Sequence, residues 1–118
     1  MKRTSLNRLI AAFCLMCAFV GTAAAQTVTG SLVGNVTDPS GGAIPGAHVA
    51  ATDIERGTKR EAVTNEEGNY TISSMDPGSY RVEIELSGFK RFINERAEVR
   101  INSTVRVDAA LEVGGVSE

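Results

Sequence analysis

One stretch decides the class of fold. Between Ser79 and Leu86, Tyr80, Val82, Ile84 and Leu86 fall on one parity, and Arg81, Glu83 and Glu85 fall on the other. Strict alternation over that length puts apolar side chains on one face and charges on the opposite one, which makes a half-buried strand and not a helix. The same rule recurs along the chain. Leu32, Gly34 and Val36 share a face, as do Ala47, Val49 and Ala51, then Tyr70 and Ile72, and finally Val105, Val107, Ala109 and Leu111. Phe89–Ile93 reads as a strand of mixed character, and Ala97–Ile101 as a further strand supplying Val99 and Ile101. Thr58–Thr64 is polar and weakly patterned, with Ala62 and Val63 on opposite faces, which places it at a sheet edge.

Turn residues separate these segments. Asp38-Pro39-Ser40-Gly41-Gly42, Pro45-Gly46, Glu55-Arg56-Gly57, Asn65-Glu66-Glu67-Gly68, Met75-Asp76-Pro77-Gly78, Ser87-Gly88 and Asn102-Ser103 recur at the spacing of an all-β sandwich or barrel. Asp38, Pro45, Gly46, Gly68, Pro77, Gly78 and Gly88 are the expected structural turn residues, with Gly68 supplying a positive φ. About seven strands are predicted, and no stretch after Val20 has a helical period.

The first 25 residues follow another rule. Lys2, Arg3 and Arg8 precede the uncharged run Leu9–Val20, and small residues Gly21–Ala25 follow. This order predicts a helical secretory signal peptide over 1–25, with Ala23 and Ala25 fitting the peptidase and Gln26 as the first mature residue. A membrane anchor is the alternative, but the apolar run falls short of the roughly 20 residues that span a bilayer core. Cys14 and Cys17 lie within that run, so the mature part has no cysteine and no disulfide. Removal of the leader takes the basic residues from 12 to nine against 14 acidic ones. Such an acidic domain has no field to attract nucleic acid. The remaining length of about 90 residues suits one modest core.

Taken in order, Gly34-Asn35-Val36-Thr37-Asp38, Gly42-Ala43-Ile44-Pro45-Gly46-Ala47-His48-Val49, Thr64–Tyr70, Met75-Asp76-Pro77-Gly78-Ser79-Tyr80 and Ser87-Gly88-Phe89 form a series. It resembles the carboxypeptidase regulatory-like family from about Gly30 to Leu111. That resemblance implies a seven-stranded, transthyretin-like Greek-key sandwich over 26–113. It also implies a place at the N-terminus of an Oar-like TonB-dependent outer-membrane receptor, with 114–118 leading toward a plug domain. The family often has leucine where Met75 stands, a conservative change that should still plug the core, and glycine in the last hairpin, where this chain has Asn102-Ser103. The plug and barrel that the resemblance implies are absent from the chain, which reads as a fragment or truncated frame. The implied role is a non-catalytic periplasmic binding or spacer domain touching a receptor plug, barrel or envelope protein. The mature part is not expected to span the membrane itself.

No catalytic, metal or cofactor site is predicted. Zinc peptidases need several His or Glu ligands and a base, whereas the chain has one histidine, His48, alternating with Val49 on a strand. No serine sits in a Gly-x-Ser-x-Gly setting. Asn65–Asn69 lacks the alternating oxygen ligands of a calcium loop and reads as a hairpin turn. Related sandwiches carry lysine–asparagine crosslinks, but residues 27–37 hold no lysine. The sequons at Asn35, Asn69 and Asn102 fall in strands and turns already accounted for. Carbohydrate binding, as in starch-binding sandwiches, is the alternative function. It needs exposed rings, yet there is no tryptophan, and Tyr70, Tyr80 and Phe89 face inward, leaving Phe92 as the best exposed candidate. The expected contact surface comprises Arg81, Glu83, Glu85 and Phe92, together with any unpaired strand edge.

Overall fold

A computed structural model describes residues 2–17 and 28–114. An N-terminal helix, α1 (Lys2–Cys17), carries the basic residues and most of the apolar run. Among the described residues no helix is long and apolar enough to cross a membrane. The expected cleavage residues Ala23, Ala25 and Gln26 lie outside the described residues.

Eight strands follow among the described residues: β1 (Gly30–Thr37), β2 (His48–Asp53), β3 (Lys59–Val63), β4 (Asn69–Met75), β5 (Gly78–Glu85), β6 (Phe92–Val99), β7 (Thr104–Arg106) and β8 (Ala109–Ala110). They build two sheets, one ordered β4-β1-β7 with β8 also on β1, the other β3-β2-β5-β6. The chain crosses between sheets after β1, β3, β4 and β6. An all-β sandwich is thus formed, as the alternation required. Its core is the set of residues on the inward parities: Leu32 and Val36 of β1, Val49 and Ala51 of β2, Tyr80, Val82 and Ile84 of β5. Each fully buried Val, Leu or Ile contributes about 1.5–3 kcal/mol. β3 lies at a sheet edge, and the Arg60 guanidinium closes that side by donating to the Ser73 and Ser74 carbonyls of β4, both at 2.9 Å.

Several boundaries differ from the sequence-based expectation, each for a physical reason. The segments expected as separate strands at 89–93 and 97–101 are one strand. β6 pairs Val82 with Asn94 but Tyr80 with Ala97, so it carries one extra residue between. This bulge switches the inward parity from Phe92 and Asn94 to Ala97 and Val99, and the Asn94 side chain accepts the Arg96 N–H across it. Ile101, expected to face the core, lies beyond the strand end and is 52% exposed. Met75, expected to plug the core from the start of a turn, does fill the core, but as the last residue of β4. A second bulge reaches it: β1 advances two residues from Gly30 to Leu32 while β4 moves three, from Met75 to Ile72. Ser74 takes a φ of 54° there. The final alternating run divides into β7 and β8, both parallel to β1.

A serine in the left-handed region costs about 1–2 kcal/mol, against about 0.5–1 kcal/mol of extra chain entropy for glycine. Ser74→Gly should therefore raise stability by about 0.5–1 kcal/mol, read as a higher urea midpoint at unchanged m. A lower midpoint would show that the bulge is not strained.

Candidate contact surfaces

The turn residues organise the two ends of the sandwich. Asp38 Oδ1 accepts the Ser40 N–H and Oγ–H and the Gly42 N–H at 2.6–2.9 Å, and the hydrogen bond from the Ser40 side chain leads in holding its carboxyl below the ordinary range. Gly46, Gly68 and Gly88 have φ of 76°, 77° and 90°, while Gly78 does not have a positive φ. Gly68 is the tightest of them, since a Cβ would lie 2.5 Å from the Val36 carbonyl oxygen. Pro45 is exposed and Pro77 half-buried. Thr64, buried, ties down the Pro45-Gly46 corner: its hydroxyl donates to the Ile44 carbonyl and accepts the Ala47 N–H.

Arg81, Glu83 and Glu85 project from β5 on the outer face of the second sheet. The register sets His48 beside Glu85, Ala50 beside Glu83 and Thr52 beside Arg81. Arg81 Nε lies 3.3 Å from Glu83 and 3.8 Å from Glu95, Arg91 pairs with Glu85, and Glu61 receives Lys59 at 3.2 Å and His48 at 3.7 Å. Exposed pairs of this kind contribute about 0–1 kcal/mol each. The named groups comprise three cations and four carboxylates besides His48, so the face is densely charged and largely paired. Phe92 does not share it. Its ring is half-buried and packed against the core, beside a shallow hollow lined by Lys90, Arg91, Leu111 and Glu112.

The outer face of the first sheet has another chemistry. Ser31, Val33, Asn35 and Thr37 of β1 lie beside Asn69, Thr71 and Ser73 of β4, and Asn35 Nδ2 donates to Asn69 Oδ1 at 2.8 Å. It carries the ion pair of Arg106 with Asp108, at 2.9 Å. Asp108 Oδ1 also accepts the Asn35 N–H at 2.8 Å. The Arg106 hydrogen bond is the largest cause holding the Asp108 carboxyl below the ordinary range, with the Asn35 N–H acting in the same direction. A carboxyl lowered by folding stabilises above its unfolded value and loses that contribution as pH falls through the folded one. Stability should therefore decline below about pH 4, and Asp108→Asn should flatten part of that decline. Urea midpoints measured from pH 6 to 3 check this; parallel profiles for the two proteins would refute it.

The rings offer no stacking platform in the sandwich. Tyr70 and Tyr80 are buried, their hydroxyls donating to the Val107 and Asp76 carbonyls at 2.6 and 2.7 Å, and Phe89 packs against the core like Phe92. Burial pushes the Tyr70 hydroxyl well above the usual phenol range, so it remains a donor. Among the described residues no three His, Cys, Asp or Glu side chains converge to hold a metal ion. Sequence reasoning missed the Asn35–Asp108–Arg106 cluster, because its members lie 73 residues apart and only the parallel pairing of β1 with the last strands joins them. It also missed Thr64, which has no local signal. Asp53 was readable: its carboxylate accepts the N–H groups of Glu55 and Arg56, as the sequence Asp-x-Glu-Arg-Gly permits.

The carboxypeptidase regulatory-like domain model matches residues 31–112. Over 90 residues the chain is 31% identical to the TonB-dependent transporter Oar of Myxococcus xanthus, covering 75% of this chain and 8% of that protein. The chain therefore spans less than a tenth of the length of that relative. Among solved structures, the Bacillus anthracis TIE protein superposes with a TM-score of 0.63 at 19% identity, covering 73% of this chain and 17% of that one. A putative carbohydrate-binding protein from Bacteroides uniformis gives 0.56 at 18% identity, with 69% and 40% covered. A catechol 1,2-dioxygenase from Acinetobacter radioresistens gives 0.58 at 11% identity, with 84% and 58% covered, so the sandwich alone does not exclude catalysis. Family and transporter likeness both fit an accessory domain. With the match running from β1 to just past β8 on a two-sheet frame, this chain belongs to the carboxypeptidase regulatory-like domain family.

Proposed function

We propose that residues 26–113 form a non-catalytic periplasmic accessory domain of a TonB-dependent outer-membrane receptor. In this reading residues 1–25 are an export signal cleaved after Ala25, and 114–118 begin a linker toward a plug domain encoded further on. The observation that carries it is the 31% identity to the Oar transporter across nearly the whole sandwich. The basic, then apolar, then small-residue order of the first 25 residues supports export. Contact with the plug or envelope partners would use the charged outer face around Arg81, Glu83 and Glu85. The buried or half-buried rings of the sandwich give no support to the carbohydrate-binding alternative.

Antibody raised against the sandwich and used on fractionated cells tests this. The expected result is an outer-membrane polypeptide far larger than the 12.5 kDa of this chain. A soluble periplasmic species of 12.5 kDa or less would overturn it.

A further inference from the structure

β1 and the last strands, β7 and β8, lie side by side and run the same way. The chain enters the sandwich at Val28–Thr29 and leaves it past Leu111, at the opposite end of a strand of eight residues, about 25 Å long. From the entry end to the exit end, four backbone bonds flank or bridge the seam. Asn102 donates to the Thr29 carbonyl, Ser31 to Ser103, Val107 to Val33 and Leu111 to Thr37, at 2.8–3.0 Å. Where the pairing breaks between β7 and β8, the Asp108 carboxylate takes the Asn35 N–H and keeps the seam continuous. Tyr70 reaches over Gly34 to hold the Val107 carbonyl from the β4 side. The exit is stitched down as well: Lys90 donates to the Glu112 carbonyl, Gly114 to Gly88, and Phe89 bridges Val113.

We infer that the sandwich is a tension-resisting link, built so that a pull applied through its two ends is carried in shear by the β1–β7/β8 seam. Pulling entry and exit apart slides β1 against its parallel neighbours, so all the seam's hydrogen bonds are strained together. Had the terminal strands been antiparallel, the same pull would open the bonds one at a time from an end. The inference deepens the spacer role in the receptor reading and rests on it for the source of the load. Its test reads the domain alone, so failure of one is distinguishable from failure of the other.

Force spectroscopy on the full chain decides it. In one geometry the handles are on the two chain ends. In the other, one handle is at the C-terminal end and one at a tag inserted between Ser40 and Gly41, which peels β1 from β8 starting at the exit end. The end-to-end unfolding force should exceed the peeling force by at least about two-fold at the same loading rate. Asp108→Ala should lower the end-to-end force and leave the peeling force unchanged. A ratio near one, or equal lowering of both forces by Asp108→Ala, overturns the inference.

Discussion

Gly34→Ala should cost the domain more than about 4 kcal/mol of stability at 25 °C. Gly34 lies in the middle of β1, where the Tyr70 ring crosses toward the Val107 carbonyl. A Cβ there would sit 1.9 Å from that carbonyl oxygen, 2.5 Å from Tyr70 Cε1 and 2.6 Å from its hydroxyl oxygen. The first of these is backbone of the adjoining segment and cannot rotate away. β1 would have to separate from the last strands, or Tyr70 would have to leave its site, breaking the 2.6 Å hydrogen bond and uncovering the core. Overpacking combined with a lost buried bond belongs to the rare substitutions costing more than about 4 kcal/mol. A domain of this size holds roughly 5–13 kcal/mol in total. Tyr70→Phe, which removes only the hydroxyl and leaves the Val107 carbonyl unpaired, should cost about 1–3 kcal/mol. Circular dichroism with urea titration separates the two, and a Gly34→Ala protein as stable as Tyr70→Phe would refute the packing argument.

Met75→Ala carries the next largest effect. Met75 is fully buried at the end of β4, reached only through the bulge at Ser74. Truncating a buried methionine to alanine costs about 2–5 kcal/mol, because transfer energy is lost and the cavity collapses only in part. Met75→Leu preserves volume and should stay within about 1.5 kcal/mol. The urea midpoint should fall steeply for the first, at unchanged m, and hardly move for the second. Equal midpoints would mean that the bulge relaxes and the site closes without loss.

The reach of the sequence is seen best by comparing β5 with β6. In β5 Tyr80, Val82 and Ile84 keep one parity from end to end, and their burial follows it. In β6 the parity changes midway, so a period-2 reading finds two short strands and a turn where one bent strand exists. The same fault moved Met75 out of β4. Bulges shift parity while leaving composition ordinary, and nothing local announces them. Gly34 was visible only as a small residue on an inward face. Its constraint comes from Tyr70 and Val107, 36 and 73 positions further on. For the contact surface, Arg81, Glu83 and Glu85 were legible as an outward parity. Phe92 was not, because its exposure depends on whether its neighbours belong to the strand or to a turn. The ordered turns were legible throughout, since proline and positive-φ glycine act locally.

The parallel seam also bears on biosynthesis. β1 is the first strand to be made and the last to be completed, since its partners β7 and β8 arrive some 73 residues later. Closing a loop of that length costs on the order of 4 kcal/mol before any contact repays it. The N-terminal strand therefore has no finished neighbour on that side until nearly the whole sandwich has emerged. The pairing that ties the two ends of the sandwich together is thus the last to become available, and it needs no disulfide chemistry.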